Sequence, residues 1–124
     1  MLLAQELTER IIGLAIEVHR QTGPGLLESV YEACLCHEFE HAGIEFRRQV
    51  GIPVGYKGLQ LDEGSRADIL VAGQVILEIK AVATILPAHE AQLQTCLRMS
   101  GIRIGLLLNF HAPRLKDGLR RFVA

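Results

Sequence analysis

The stretch that decides the fold is ADILVAGQVILEIKAV, residues 67–82. It contains two apolar runs, residues 67–71 and 75–82, separated by Ala72-Gly73-Gln74. Both runs are short, rich in valine and isoleucine, and joined by a link that contains glycine. Such a pattern is typical of two buried β-strands connected by a tight turn. The sequence therefore predicts a β-hairpin at the centre of the domain.

Three charged residues, Asp68, Glu78 and Lys80, interrupt these apolar runs. Side chains alternate between the two faces of a strand, so Glu78 and Lys80 share one face while Leu77 and Ile79 occupy the other. Burying an unpaired charge costs several kcal/mol or more. These groups therefore need one another, solvent or a metal ion as partners.

The register of the hairpin decides whether the charged side chains meet. If residues 72–74 form a three-residue loop, Asp68 lies directly opposite Glu78. Opposed residues have Cβ atoms roughly 4.5–5.5 Å apart, which lets both carboxylates hold one cation. A two-residue turn at Ala72-Gly73 instead moves Asp68 out of the site unless a bulge restores it.

Two adjacent carboxylates raise each other's pKa, and a hard divalent cation such as Mg²⁺ relieves that repulsion. A bound cation polarises a phosphate oxygen and lowers the pKa of a water molecule, while Lys80 orients that water or stabilises developing negative charge. The alternative is a structural cluster of Asp68, Lys80 and Glu78 ion pairs on a solvated sheet face. The spacing alone leaves both interpretations open.

Helices are predicted on both sides of the hairpin. The first has its apolar residues at Leu7, Ile11, Leu14, Ala15 and Val18, and ends at the breaker-rich segment 22–25. The second has one face formed by Leu27, Tyr31, Cys34, Leu35 and Phe39, and ends at Gly43. A third helix is expected to begin at Pro87, run to Met99 and end at Gly101.

Extended segments complete the predicted order. Residues 44–47 and 52–56 alternate as strands do, and Lys57-Gly58 indicates a turn. The apolar run 102–109 is short enough for a buried strand, and the basic tail from Pro113 is expected to form a short helix. The order of elements predicts a single mixed α/β layer fold, a mixed central sheet flanked by helices.

Composition limits the function. The chain has 124 residues, 49% of them hydrophobic, and a net charge of −1. A protein that grips nucleic acid through phosphate contacts alone shows a large basic excess, so binding here requires a local patch, a cation, an oligomer or a partner. No apolar run reaches transmembrane length, and a cytoplasmic protein with no membrane association is expected. We interpret Cys34, Cys36 and Cys96 as reduced, mostly buried thiols.

Residues 37–41 spell HExxH, a zinc-protease signature. Gly43 ends the helix directly afterwards, and no second motif offers a third ligand. We therefore interpret His37 and His41 as part of a solvated helix end.

Several stretches resemble a known family. The residues Gly25-Leu26-Leu27-Glu28-Ser29-Val30-Tyr31 match the pattern of the GxxExxY proteins, which are similar to the PD-(D/E)xK nuclease superfamily. The matching stretches are IEVHRQTGPGLLESVYE, SRADILV, LEIKAV, HEAQLQTCL and IGLLLNF. The resemblance implies one restriction-endonuclease-like domain over residues 1–124, with an αβββαβ core.

The resemblance also implies roles for individual residues. Asp68 and Glu78 would bind the metal, Lys80 would be the catalytic lysine, and Glu28 would be a ligand of the metal or of its water. Gln92 resembles a glutamine that related nucleases place on the helix after the ExK strand. Those nucleases often carry Q-x-x-x-Y there, and this sequence has Cys96 at the tyrosine position.

Three of the residues near these motifs also have independent interpretations. Glu28 lies at the edge of the apolar face of the second helix. Its carboxylate either has a partner there or is a first-turn glutamate that the helix dipole stabilises. Tyr31 is expected in the core with its hydroxyl hydrogen-bonded. Arg66 is a candidate phosphate contact, with a surface ion pair as the alternative.

Two classes of function follow. The first is a nuclease that depends on Mg²⁺ or Mn²⁺ and cleaves nucleic acid, DNA rather than RNA. The second is a catalytically inactive module of the same fold that binds nucleic acid or a protein partner. A homodimer is compatible with either class.

Overall fold

The computed structural model describes residues 4–124 of the chain, so the first three residues of the predicted domain 1–124 lie outside the described part. In chain order the elements are α1 (Gln5–Thr22), α2 (Glu28–Ala42), β1 (Phe46–Tyr56), β2 (Leu59–Val71), β3 (Val75–Lys80), α3 (Pro87–Ser100), β4 (Ile104–Asn109), a short 3₁₀ helix (Leu115–Gly118) and β5 (Leu119–Val123). The five strands form one sheet in the order β1-β2-β3-β4-β5. β3 and β4 are parallel, and the other neighbours are antiparallel, so the sheet is mixed as predicted.

The helices cover both faces of the sheet. Leu77 and Ile79 of β3 pack into the core shared with α1 and α2, whereas Ile76 packs against α3. Neighbouring residues of one strand point to opposite faces, so β3 must be apolar on both sides. Burial on both faces explains why β3 is an apolar run that only Glu78 and Lys80 interrupt.

The predicted helix ends are confirmed. Gly43 follows α2 in the left-handed conformation, with φ 69° and ψ 26°, and the next amide donates to the Phe39 carbonyl at 2.9 Å. Gly101 ends α3 with φ 75°, and Pro87 is the first residue of that helix. Glycine at these positions avoids the Cβ clash that other residues meet at positive φ.

The hairpin has the register that favours a shared site. Val71 pairs with Val75, so residues 72–74 form the three-residue loop, and the two-residue alternative is wrong. Ala72 and Gly73 both have positive φ, 52° and 65°, and the Gln74 amide closes the loop on the Val71 carbonyl at 2.9 Å.

The strand boundaries differ from the sequence prediction. Residues 46–47 of the first predicted stretch and all of the second, 52–56, belong to one strand, β1, with an irregularity between Ile52 and Val54. Residues 44 and 45 precede this strand. β2 begins eight residues before Ala67, and β3 ends at Lys80 rather than residue 82. Residues 59–64 are all exposed, so this first part of β2 has no buried face that would produce an alternating apolar pattern in the sequence.

The tail is also different. Only Leu115–Gly118 is helical, and it is followed by β5, an edge strand that no pattern in the sequence predicted. β5 carries Arg120 and Arg121 between apolar residues. Charged residues are common on edge strands, where they oppose pairing with other chains, and they hide the strand from a search for apolar runs.

Tyr31 is fully buried and its ring stacks on Phe110 with the centroids 4.5 Å apart. Its hydroxyl donates to the Gly23 carbonyl at 2.6 Å and accepts from the Leu26 amide at 3.1 Å. The prediction of a core tyrosine with a bonded hydroxyl is confirmed. These two bonds fix the loop that leads from α1 into α2.

We expect Tyr31→Phe to lower the free energy of unfolding by about 1–2 kcal/mol, because the loop keeps its apolar contact but loses the hydroxyl. Urea denaturation measures the change. Tyr56→Phe is the matched control, because Tyr56 is 61% exposed at the far end of β1. A stability change in Tyr31→Phe no larger than in the control would contradict the assignment of these bonds.

Candidate active site

The candidate site forms where β2 and β3 separate. Their paired residues end at Ile69 and Leu77, and the same register continued by one residue sets Asp68 opposite Glu78. The next β3 amide on that side, from Ile79, donates to the Asp68 carboxylate at 2.7 Å instead of to a backbone carbonyl. The Ala81 amide, two residues further, donates to the Glu28 carboxylate at 3.1 Å. Two carboxylates therefore replace a neighbouring strand at this edge of β3.

Asp68 stands at a break in the β1–β2 ladder. Arg48 pairs with Ile69 and Val50 pairs with Ala67, but Gln49 and Asp68 between them are not paired. Gln49 has a positive φ of 50°. Ile69 packs in the core with α1 and α2, whereas Ala67 packs in the core with α3. In a regular strand residues two apart share a face, so the side chains change faces at Asp68.

Glu78 is the most perturbed carboxylate of the described residues. Only 7% of its surface is exposed, and its Oε1 atom is buried without a hydrogen-bond partner. Burial, and next the negative charge of Asp68, raise the pKa of Glu78 from 4.5 to about 8, against the opposing effect of Lys80. A buried oxygen without a partner is expensive, so this atom indicates a missing ligand or proton.

Lys80 completes the central group. It is half-buried at the last residue of β3, on the face that carries Glu78, and its charge opposes the rise in the Glu78 pKa that burial and Asp68 cause. The structure therefore brings Asp68, Glu78 and Lys80 together at the same end of β3.

Glu28 belongs to a helix, α2, whereas Asp68, Glu78 and Lys80 belong to strands. It is the first residue of α2 and is exposed, and its contact with the Ala81 amide brings it to the end of β3. The predicted apolar stripe beside it is wrong at one position, because Leu27 precedes the helix and is 72% exposed. A residue at the helix start lies outside the packed turns, so the helical period does not apply to it.

The remaining predicted residues lie around this centre. Gln92 is exposed on α3. Arg66 is exposed and forms an ion pair with Glu63, with its Nε 2.9 Å from the carboxylate, so the alternative interpretation of Arg66 describes this structure. A phosphate contact by Arg66 stays a prediction.

Cys96 occupies the position one helical turn after Gln92 and is buried. Its Sγ lies 2.5 Å from the Ser65 hydroxyl. Burial raises the pKa of the Cys96 thiol, and the Glu78 and Asp68 carboxylates add to the rise. The thiol is therefore a neutral neighbour of the carboxylate pair. Cys34, Cys36 and Cys96 are all free, with Cys36 and Cys96 buried.

The donor set fits a hard divalent cation. Asp68 and Glu78 provide carboxylate oxygens, and the unpartnered Oε1 of Glu78 is available to a ligand. Within residues 4–124, no three His, Cys, Asp or Glu side chains are grouped closely enough to hold a metal. Mg²⁺ commonly binds through one or two carboxylates, with waters and substrate phosphate oxygens completing its shell. Two carboxylates are thus enough for this ion but not for a protein-only cage.

Among residues 4–124, no group of three His, Cys, Asp or Glu side chains that could hold a metal includes the HExxH residues. His37 and His41 are both exposed, with ring centroids 4.3 Å apart at the end of α2. The interpretation as a solvated helix end is confirmed.

Two buried polar residues near the site were not predicted from the sequence. Glu32, 6% exposed, accepts hydrogen bonds from Arg48 at 3.0 Å and from Gln49 at 2.8 Å, and so holds the break opposite Asp68. Asn109, also 6% exposed, bonds to Val82 just after Lys80. A signal for Asn109 was present, since it is the one polar residue in the apolar run 102–109 apart from Arg103.

The raised pKa of Glu78 predicts a pH-dependent stability of the metal-free protein. Between pH 4.5 and about 8 the folded protein keeps a proton that the unfolded chain has released. The stabilisation is therefore complete below pH 4.5 and is lost as the pH rises through about 8. We expect the loss to be on the order of 3 kcal/mol, measured by urea denaturation in EDTA at several pH values.

Glu78→Gln is the control for this pH dependence. The amide does not titrate, so the fall in stability between pH 5 and 8 should largely disappear in the variant. Saturating Mn²⁺ should also flatten the wild-type profile, because a bound cation replaces the proton. An equally steep fall in Glu78→Gln would assign it to another group.

No helix within residues 4–124 has the length and apolarity needed to cross a membrane. The chain matches the family model of the PD-(D/E)XK nuclease superfamily over residues 5–122. Comparisons with curated proteins and with solved structures give no match. Proteins of this superfamily generally use divalent metals. Because the match covers nearly the whole sequence, the chain belongs to the PD-(D/E)XK nuclease superfamily.

Proposed function

We propose that this protein is a metal-dependent nuclease that hydrolyses phosphodiester bonds in nucleic acid, DNA rather than RNA. One observation carries the proposal. Glu78 holds a buried, unpartnered oxygen opposite Asp68, next to a half-buried lysine. A purely structural ion-pair cluster would satisfy that oxygen, since unsatisfied buried carboxylates destabilise the fold.

Asp68 and Glu78 would hold Mg²⁺ or Mn²⁺, with Glu28 as a third ligand, directly or through water. When bound, the cation polarises a phosphate oxygen and lowers the pKa of a water molecule. Asp68 also accepts the Ile79 amide at 2.7 Å, which fixes its carboxylate against β3. That second bond limits the orientations in which Asp68 can offer its oxygens.

Lys80 is the residue we assign to the chemical step. Its ammonium can orient the attacking water or stabilise the charge that develops on the phosphoryl oxygens. Arg66 would contact a neighbouring phosphate after exchanging its ion pair with Glu63, and Gln92 would contribute from α3. These roles agree with the GxxExxY pattern at residues 25–31, and we propose that the chain is a GxxExxY protein within its superfamily.

A catalytically inactive module that binds nucleic acid or a protein partner is the second candidate. It is favoured by the absence of a three-ligand group in the described residues and by the net charge of −1. Cys96 in place of a tyrosine removes a polar hydroxyl beside the carboxylates. An active enzyme with this charge would use a homodimer or a partner to hold its substrate. A cytoplasmic location and a single domain over residues 1–124 complete the proposal.

A cleavage assay distinguishes the two candidates. Purified protein is incubated with single-stranded, duplex and branched DNA and with RNA, in Mg²⁺, in Mn²⁺ and in EDTA. We expect cleavage of at least one DNA substrate that EDTA abolishes. Binding without cleavage under every condition would support the inactive module, and cleavage that persists in EDTA would contradict metal dependence.

A further inference from the structure

Lys80 is the last residue of β3, where the strand loses both neighbours. β2 has already separated after Leu77, and on the other side the pairing with β4 ends at Lys80 and Asn109. A lysine at such a position would normally move with the loop that follows it.

The backbone after Lys80 is nevertheless bonded on both sides. The Phe110 amide donates to the Lys80 carbonyl at 2.8 Å, and the Ala81 amide donates to Glu28 at 3.1 Å. The Val82 amide donates to Asn109 Oδ1 at 3.1 Å, and Asn109 Nδ2 donates to the Val82 carbonyl at 2.9 Å. The Asn109 side chain thus pairs with Val82 as a neighbouring strand would.

A side-chain amide is well suited to this pair of bonds. It offers a donor and an acceptor on one planar group, whereas an aspartate of the same shape offers only acceptors. Asn109 is buried, and its Oδ1 accepts a further bond from the His111 amide at 3.2 Å. Gly118 packs so closely that a Cβ there would collide with the Asn109 carbonyl oxygen. The amide is therefore held firmly, and it is the only asparagine in the sequence.

We propose that Asn109 is a positioning residue for Lys80: by bonding both backbone groups of Val82, its amide fixes the end of β3 so that the lysine stays beside Glu78. The inference rests on the proposed nuclease function for its catalytic consequence, but the positioning itself can be measured without activity. Asn109 touches neither substrate nor metal in this role. Its loss should disturb Lys80 and leave Asp68 and Glu78 in place.

The experiment compares wild type with Asn109→Asp and Asn109→Ala. Ile104→Ala is the matched control, because it weakens the other end of β4. Amide exchange at Val82 and His111 reports the bonds directly, with Leu77 as the internal reference. The positioning of Lys80 is followed by competitive acylation, because the sequence has only two other lysines, the exposed Lys57 and Lys116.

In Asn109→Ala we expect at least about tenfold faster exchange at Val82, because the acceptor of its amide is lost. Asn109→Asp keeps that acceptor and loses only the bond to the Val82 carbonyl, so its effect should appear at Lys80 rather than in exchange at Val82. The acylation rate of Lys80 relative to the other lysines should change by about threefold or more. If wild type cleaves nucleic acid, kcat should fall by about 10–100-fold with KM and Mn²⁺ affinity nearly unchanged, because misplacement affects the chemical step. Ile104→Ala should show none of these changes.

Fast exchange of Val82 in the wild-type protein would overturn the proposal by itself, even if neither variant folds. Unchanged Lys80 acylation in a folded variant whose Val82 amide is released would also overturn it. If wild type never cleaves but Lys80 acylation changes as expected, the positioning role stands and the nuclease proposal fails. The two failures are therefore distinguishable.

Discussion

Asp68→Asn should abolish measurable Mn²⁺ binding while it stabilises the metal-free protein. The asparagine keeps a carbonyl oxygen that can accept the Ile79 amide, now 2.7 Å from the Asp68 carboxylate. It removes the negative charge that, after burial, is the main cause of the raised Glu78 pKa. The repulsion between residues 68 and 78 falls and the hydrogen bond to the Ile79 amide persists. The metal-free protein therefore becomes more stable, while the site loses a ligand for the cation.

The two effects have different magnitudes. Loss of one of the two hairpin carboxylates should weaken Mn²⁺ binding by about 100-fold or more, because Glu78 alone at the centre of the site cannot neutralise a divalent ion. The stability gain should be about 1–2 kcal/mol above pH 8, where Glu78 of wild type loses its proton beside the charge of Asp68. Calorimetric titration measures the first effect, and urea denaturation in EDTA measures the second.

Asp62→Asn is the matched control, since Asp62 is exposed on the same strand, β2. It should change neither metal binding nor stability appreciably. A destabilised Asp68→Asn protein that still binds Mn²⁺ like wild type would mean that Asp68 serves as a structural cap of β3. In that case the carboxylate pair would not be a metal site.

The hairpin shows what the sequence alone can predict about this site. The alternation in residues 75–80 correctly assigned Glu78 and Lys80 to one face, because a strand buried on both sides tolerates charge only where something requires it. The register could be stated only as two alternatives. A loop with Ala72 at positive φ is uncommon for a residue with a Cβ, so no local rule selected it.

Residues at the ends of elements were harder to predict. Asn109 acts through a residue 27 positions away in the sequence, and Glu32 holds Gln49 from another element, α2. Such contacts depend on how strands end and separate, which periodicity does not encode. The exposed part of β2 and the edge strand β5 were missed for a related reason, because neither buries a continuous face.

Lys80→Met is the second variant with a large expected effect. Methionine retains much of the lysine stem and removes the ammonium, so packing at the end of β3 is largely preserved. Removing a group that orients water or stabilises transition-state charge should lower kcat by about 10²–10⁴-fold. The rate is measured in single-turnover cleavage at saturating Mn²⁺. Lys57→Met is the control, because Lys57 is exposed in the turn between β1 and β2.

The Mn²⁺ affinity of Lys80→Met should rise although its kcat falls. The Lys80 charge lowers the pKa of Glu78, against burial and Asp68, which shows that the ammonium and the carboxylate interact. A cation bound at Glu78 would be repelled by that ammonium, so Lys80→Met should bind Mn²⁺ about two- to tenfold more tightly. Tighter binding together with lost cleavage is a result that simple misfolding of the site cannot produce.

The combination of the two variants is more informative than either alone. Asp68→Asn should lose the metal and gain stability, whereas Lys80→Met should gain metal affinity and lose the reaction. If both variants instead lose metal binding, Lys80 is part of one structural ion-pair cluster with the carboxylates. If Lys80→Met cleaves as fast as wild type, the measured activity comes from a contaminant or from another site, and the inactive module becomes the better description of this chain.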